Sequence, residues 1–122
     1  MAIPNDSILE YVKRHMPVTA GNTDFDAEII DHINAVFDDL LQLGVGPAEG
    51  YSIDGASQTW SGYFQSSRRY ASAQEVLWMR VKLVFDPPAS STALQALQSM
   101  CTERMTRLRD QVDHYEEAQN GV

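Results

Sequence analysis

The sequence predicts an all-α fold: a small helical bundle of about four to five helices with a long C-terminal helix and a central loop. Three observations predict it. Apolar residues between Asp26 and Leu43, and again between Thr92 and Glu117, recur every three or four positions, the spacing that lines one face of a helix. Two abrupt stops, LGVGP at 43–47 and FDPP at 85–88, cut the chain into helix-length pieces. Ser, Thr, Asp or Asn stands ahead of each apolar run, where a side-chain oxygen can accept from the unpaired first N–H groups of a helix.

The first helix opens after Pro4, with Asn5 or Asp6 expected as its cap, and carries Ile8, Leu9, Val12 and Met16 on one stripe; Pro17 ends it. A loop over 18–23 leads to a second start, where Thr23 or Asp24 caps and Asp26 and Glu28 meet the positive end of the helix dipole. This second helix runs to about Leu43. Its residues Ile29, Ile33, Val36, Leu40 and Leu43 are spaced 4, 3, 4 and 3, and Ile30 and Phe37 widen the apolar face. Gly44 falls where a helix takes a left-handed residue after its last turn, Val45 can fold back on the helix end, and Gly46-Pro47 forbids continuation.

Residues 48–57 read as a loop, extended around Tyr51 and Ile53. Thr59 to Gln65 then makes a short helical turn pinned to the core by Trp60, Tyr63 and Phe64. Ser66 to Ala71, with Arg68 and Arg69, reads as an exposed polar connection. Ser72 and Glu75 form a capping-box pattern ahead of VLWMRVKLVF, predicting a helix from about Ala73. The same run alternates through Leu77, Met79, Val81, Leu83 and Phe85, so a strand competes on periodicity; capping and length favour the helix. Asp86 is driven out of helical geometry by Pro87, and Ser90 or Ser91 caps the last helix. That helix extends from about Thr92 to about Glu117, with Leu94, Leu97, Cys101, Leu108, Val112 and Tyr115 in a narrow stripe and Met105 beside it. Glu103 with Arg107, and Arg109 with Asp113, stand four apart on its exposed side.

At 122 residues the chain suits one domain that buries roughly two thirds of its unfolded surface. One cysteine, Cys101, excludes an intrachain disulfide, and the absence of a charged-then-apolar opening predicts synthesis in a reducing cytoplasm without export. The longest uncharged run, Pro87 to Thr102, has two prolines and several Gln, Ser and Thr residues, which does not suit a membrane span. The net charge of -8 is lopsided: residues 1–60 hold two basic and ten acidic residues, whereas 61–122 hold seven of each. An acidic field repels phosphate, which disfavours a nucleic-acid-binding module but permits a surface that DNA slides past.

No constellation of residues points to catalysis. Glu28, Asp31 and His32 share one helical region, yet no second His or Cys cluster completes a closed metal site. His15 and His114 stand alone and read as helix-end or surface residues. Cys101 lies on an apolar stripe, where a buried inert thiol is the default. There is no P-loop and no GxGxxG, and Gly44 and Gly46 follow a helix instead of opening one. Trp60, Trp78, Tyr63 and Phe64 lack the interleaved basic groove of a base-stacking surface and read as core anchors. The sequence thus assigns no catalytic, cofactor-binding or metal-binding residue.

The segment INAVFDDLLQLGVGPAEGYSI at 33–53, Thr59-Trp60, and VKLVFDPPASS at 81–91 together resemble the small head-tail connector (adaptor) proteins of tailed bacteriophages. The resemblance runs from about Ile8 to about Leu108. It implies a structural virion protein made in the host cytoplasm, without chemistry or cofactor, that forms a homo-oligomeric ring, commonly of twelve subunits, below the portal protein. DNA passes through the ring without specific binding, and a neck, stopper or tail-completion protein assembles onto it. The resemblance divides the chain into a connector domain, 1–108, and a C-terminal helix end and tail, 109–122, that binds a partner. Because such proteins commonly engage the portal through the C-terminal helix or tail, the portal-binding candidates are Arg109, Asp113, Tyr115, Glu116 and Glu117, with Tyr115 as the apolar anchor. The helix corners are Gly44, Gly46, Pro47, Asp86, Pro87 and Pro88. Asp38, Asp39, Glu49 and Asp54 are candidates to face the channel. The rival readings are a small cytosolic acidic helical regulator that masks a basic partner, and a metal-dependent enzyme using Glu28, Asp31 and His32. Stopper or tail-completion protein is a neighbouring alternative, although the quoted residues match the adaptor pattern better.

Overall fold

In the computed structural model the described residues are 3–19, 21–65 and 70–119, with side chains described as far as His114. They form five helices and no named strand: α1 (Ile8–Lys13), α2 (Asp26–Gln42), α3 (Trp60–Phe64), α4 (Ala71–Phe85) and α5 (Ser91–Gln119). The all-α expectation holds, including the long last helix and the loop between α2 and α3.

Helix α4 is the centre of the bundle, packing against α5, α2 and α1. Its buried residues Ser72, Ala73, Val76, Leu77, Met79 and Val81 point in several directions around the axis. This explains why its sequence alternates and competes with a strand: a helix covered on more than one side need not show a single 3.6-residue stripe. By contrast, α2 and α5 each lie on one side of the bundle and keep a clean stripe. On α2, Ile29, Ile33, Val36, Phe37 and Leu40 are buried. On α5 the buried positions are Leu97, Cys101, Leu108 and Val112, with Leu94 and Met105 half-buried.

The main core joins α1, α2, α3, α4 and the end of α5, including Leu108 and Val112. A satellite cluster of Met79, Leu97 and Cys101, flanked by Trp78 and Leu83, seals α4 to the first half of α5. Each fully buried Leu, Ile or Phe contributes roughly 1.5–3 kcal/mol of transfer free energy. Aromatic rings fill the space under α3: Tyr63 lies 4.5 Å from Phe37, 4.9 Å from Phe64 and 5.3 Å from Tyr51, and Trp60 meets Tyr11 edge-on at 5.4 Å. The expected pinning of the 59–65 turn is borne out, since Trp60, Tyr63 and Phe64 are all buried.

Several helix starts differ from expectation. Ser7, not Asn5 or Asp6, caps α1, its Oγ accepting from Glu10 N at 3.3 Å. Asp6 instead reaches across the chain, where its Oδ2 accepts from Ser61 N at 3.0 Å and from Ser61 Oγ at 2.6 Å. Thr59 caps α3 through Gly62 N at 2.9 Å. The α helix of α1 stops at Lys13, before Pro17, in tighter turns closed by His15 N to Val12 O and Met16 N to Lys13 O. Neither Thr23 nor Asp24 caps α2: its N-cap is Phe25, without a side-chain bond, because Asn22 Oδ1 takes Asp24 N and folds the preceding turn. The Ser72/Glu75 box does not form. α4 begins two residues earlier than expected, which places Ser72 inside the buried face and leaves Glu75 to accept from Trp78 Nε1 at 3.0 Å. Of the connection expected to be exposed over 66–71, residues 66–69, with Arg68 and Arg69, lie outside the described residues, whereas Tyr70 is buried in the core and Ala71 opens α4.

Candidate functional site

The two corners set the angles at which helices leave one another. At the first, Gly44 N donates to Leu41 O at 2.9 Å and Val45 N to Leu40 O at 3.0 Å, the paired bonds of a Schellman ending, with Gly44 at φ 88°. Val45 folds back and is buried. Gly46, at φ 90°, brings the backbone against Tyr63, whose hydroxyl donates to Val45 O at 3.3 Å. Pro47 then carries the chain into the loop. At the second corner, Asp86 ends α4 at φ -149° and ψ 66°, its N–H donating to Lys82 O. Lys82 Nζ holds the Asp86 carboxylate at 2.9 Å. Pro87 and Pro88 follow, and Ser90 Oγ caps α5 by accepting from Ala93 N at 3.0 Å. The reading of both corners, including Ser90 as one of two candidate caps, agrees with this geometry.

Between the corners the loop after α2 is tied down by Asn34. Its Nδ2 donates to Ile53 O at 3.0 Å and its Oδ1 accepts from Ile53 N at 2.8 Å, satisfying both backbone groups of a buried residue. Near the other end of α2, Lys13 is only 8% exposed. Its ammonium lies 2.8 Å from Asp26 Oδ1 and 3.7 Å from Glu10 Oε2, and donates to Asn22 O at 2.9 Å. The end of α1, the connecting loop and the start of α2 therefore meet on one charge. Sequence reasoning singled out neither Asn34 nor Lys13, because each acts on residues distant along the chain.

The four channel candidates occupy different surroundings. Asp38 and Glu49 are exposed. Asp39 is paired with Arg80 of α4, 3.0 Å away, and Asp54 accepts from Gln58 Nε2 at 2.7 Å. The acidic outer face of α2 also carries Glu28, which approaches His32 at 3.9 Å, and Asp31, which is exposed. Among the described residues no group of three or more His, Cys, Asp or Glu side chains gathers to hold a metal.

Of the portal-binding candidates, Arg109 and Asp113 are exposed on α5. The expected pair between them is not among the ion pairs of the described residues, whereas Glu103 and Arg107 do meet, at 2.8 Å. Tyr115, Glu116 and Glu117 continue the backbone of α5, and their side chains lie outside the described set. The helix runs unbroken through Leu108 and Arg109. Its outer surface holds a shallow hollow of about 550 Å³ lined by Gln95, Gln98, Ser99, Thr102 and Glu103.

Cys101 is buried, and desolvation pushes its thiol up in spite of Arg80 nearby. That is the reverse of a nucleophile's environment. His15 follows the end of α1 and stacks on Trp78 with ring centroids 4.0 Å apart and planes 6° apart; burial pulls its pKa down. No described helix is long and apolar enough to cross a membrane.

A family model described as phage connector protein matches residues 8–115. No curated protein and no solved structure matches the chain.

Proposed function

Since the chain belongs to the phage connector protein family, we propose that it is a head-tail adaptor: a structural virion protein that forms a ring below the portal, through which DNA passes and onto which the neck or tail assembles. The observation that carries this reading is the extent of the match, which takes in α1 to α4 and most of α5, both helix corners included. The corners fix the relative directions of α2, α4 and α5, and an assembly protein needs fixed directions more than it needs a reactive cleft. A ring, of twelve subunits in this proposal, gives each copy two neighbours through one heterologous interface that closes by rotation.

The segment 109–122 is the proposed portal-binding end, with Arg109, Asp113, Tyr115, Glu116 and Glu117 as its contacts, and a neck, stopper or tail-completion protein sits on the opposite side. Asp38, Asp39, Glu49 and Asp54 are proposed to face the channel, where acidic groups repel the phosphates of passing DNA. Crosslinking mass spectrometry on purified particles tests the whole arrangement. Links from 109–122 to the portal, together with links between copies of the chain, are expected. Absence of the chain from the particles would refute the proposal and favour a cytosolic binding module.

A further inference from the structure

Two exposed patches of opposite sign repeat one pattern on different helices. At the start of α2, Phe25 is 45% exposed, and Glu28 and Asp31 follow at helical spacing on the outer face. On α5, Met100 is 46% exposed, and the half-buried Arg104 and exposed Arg107 follow at intervals of four and three, which puts all three on one flank. Each patch is thus an apolar knob beside two like charges. At a rise of 1.5 Å per residue, the first spans about 9 Å and the second about 10 Å. No Lys or Arg occurs anywhere on α2; Glu28 has only His32 beside it, at 3.9 Å, and Asp31 has no ion-pair partner among the described residues. Arg104 has no ion-pair partner among the described residues, and Arg107 is held only by Glu103 in a pair whose members are both 59% exposed, a contact that water and other partners readily replace.

We propose that the partner of each patch is the other patch on a second copy of this chain, so that Phe25, Glu28 and Asp31 of one copy meet Met100, Arg104 and Arg107 of the next. The inference rests on the adaptor reading and adds the surfaces through which its copies join. The charges decide the pairing: α2 against α2 sets carboxylate on carboxylate, whereas α2 against α5 is complementary. In this arrangement each copy gives its α2 patch to one neighbour and its α5 patch to another, a heterologous contact that builds a ring where the rotation closes. The knobs supply apolar burial at the centre, and the charges set the register.

Disulfide crosslinking in particles tests the pairing with the full chain. Glu28→Cys combined with Arg107→Cys is expected to give, on mild oxidation, a ladder of covalent multimers beyond the dimer, while either substitution alone gives none. A chain that enters particles but yields no ladder overturns this interface and leaves the adaptor reading standing. Dimers from one single-cysteine variant point to like-on-like contact and also overturn it. Loss of the unsubstituted chain from particles overturns both readings. As an independent check, Glu28→Lys with Asp31→Lys is expected to lower the copies per particle about tenfold or more, and adding Arg104→Glu with Arg107→Glu to restore them. Normal incorporation of the first reversal overturns the proposal, and circular dichroism of each purified variant separates lost pairing from lost folding.

Discussion

Replacing Gly46 by Ala should be among the most damaging single-carbon changes in this chain. Gly46 sits at φ 90°, where a residue with a Cβ is strained by roughly 1–2 kcal/mol. A Cβ there would stand 2.5 Å from Tyr63 Cε1 and 2.9 Å from both Cζ and Oη. Tyr63 cannot withdraw: it is 1% exposed, wedged between Phe37, Tyr51 and Phe64, and anchored through its hydroxyl to Val45 O. Overpacking of this kind costs about 1–3 kcal/mol, so the total is about 2–5 kcal/mol. A domain of ordinary stability has only 5–15 kcal/mol in all. Gly50→Ala is the control, because Gly50 has a similar φ of 92° but a Cβ there would meet only Leu41 Cδ2 at an ordinary 3.6 Å. Urea denaturation followed by circular dichroism should therefore show the Gly46 variant less stable than the Gly50 variant by about 1–3 kcal/mol, at an unchanged m-value. Equal midpoints for the two would refute the argument that the close approach to Tyr63, beyond backbone strain, fixes this corner.

Asn34→Ala removes both partners of the buried Ile53 backbone and should cost about 2–3 kcal/mol in the same denaturation assay; Asn34→Asp, which keeps only the acceptor, should also destabilise. Lys13→Met leaves Asp26 and the Asn22 carbonyl without their cation and should lower stability by about 1–3 kcal/mol, less than a fully buried pair because Asp26 is 23% exposed. The double change Lys13→Met with Asp26→Leu should recover part of that loss. His15 has a folded pKa below its unfolded value of 6.5, so its contribution to stability is present above that value and is lost as pH falls through the folded pKa. Thermal melts of His15→Gln should show a shallower loss of stability than the parent between neutral and mildly acidic pH. At the alkaline end, Tyr11 is pushed up to about 12 chiefly by burial, and Tyr63 is pushed up as well. Stability should accordingly fall as pH rises through 10 towards 12, and Tyr11→Phe should blunt that fall.

The parts of the fold that sequence reveals are those governed by near neighbours. α2 and α5 announce themselves because each has one buried side, and the stripe from Ile29 to Leu40 is visible in the letters alone. The Schellman corner is equally legible, since Gly44, Val45 and Leu40 act within six positions. The misread starts share another cause. Ser7 and Asp6 are both competent caps, and only the position of Ser61 decides that Asp6 is taken elsewhere. Ser72 and Glu75 spell a capping box, but Ser72 lies in the core and Glu75 serves Trp78. Lys13 and Asn34 look like surface residues until the chain returns to meet them. The candidate surfaces are legible in part: the acidic face of α2 follows from spacing, whereas the proposed contacts Tyr115, Glu116 and Glu117 have side chains outside the described residues.

One contact noted above bears on the order in which the molecule comes together. Asp6 Oδ2 accepts from Ser61 N in the first turn of α3, Trp60 N donates to Asp6 O, and Ile8 N donates to Gln58 O, so the first turns of α1 and α3 complete one another. During synthesis, Ile8 emerges fifty residues before Gln58, whose carbonyl takes its N–H. Helix α1 is also too short to persist alone, since isolated helices under about 12–15 residues are marginal in water. The bonds that join α1 to α3 can therefore form only once residue 61 has left the ribosome. The energetic cost of waiting is small, because loop closure grows only by about 0.6 kcal/mol for each doubling of loop length. A change at Asp6 should therefore loosen the aromatic core under α3, because it removes the acceptor of Ser61 N and Ser61 Oγ.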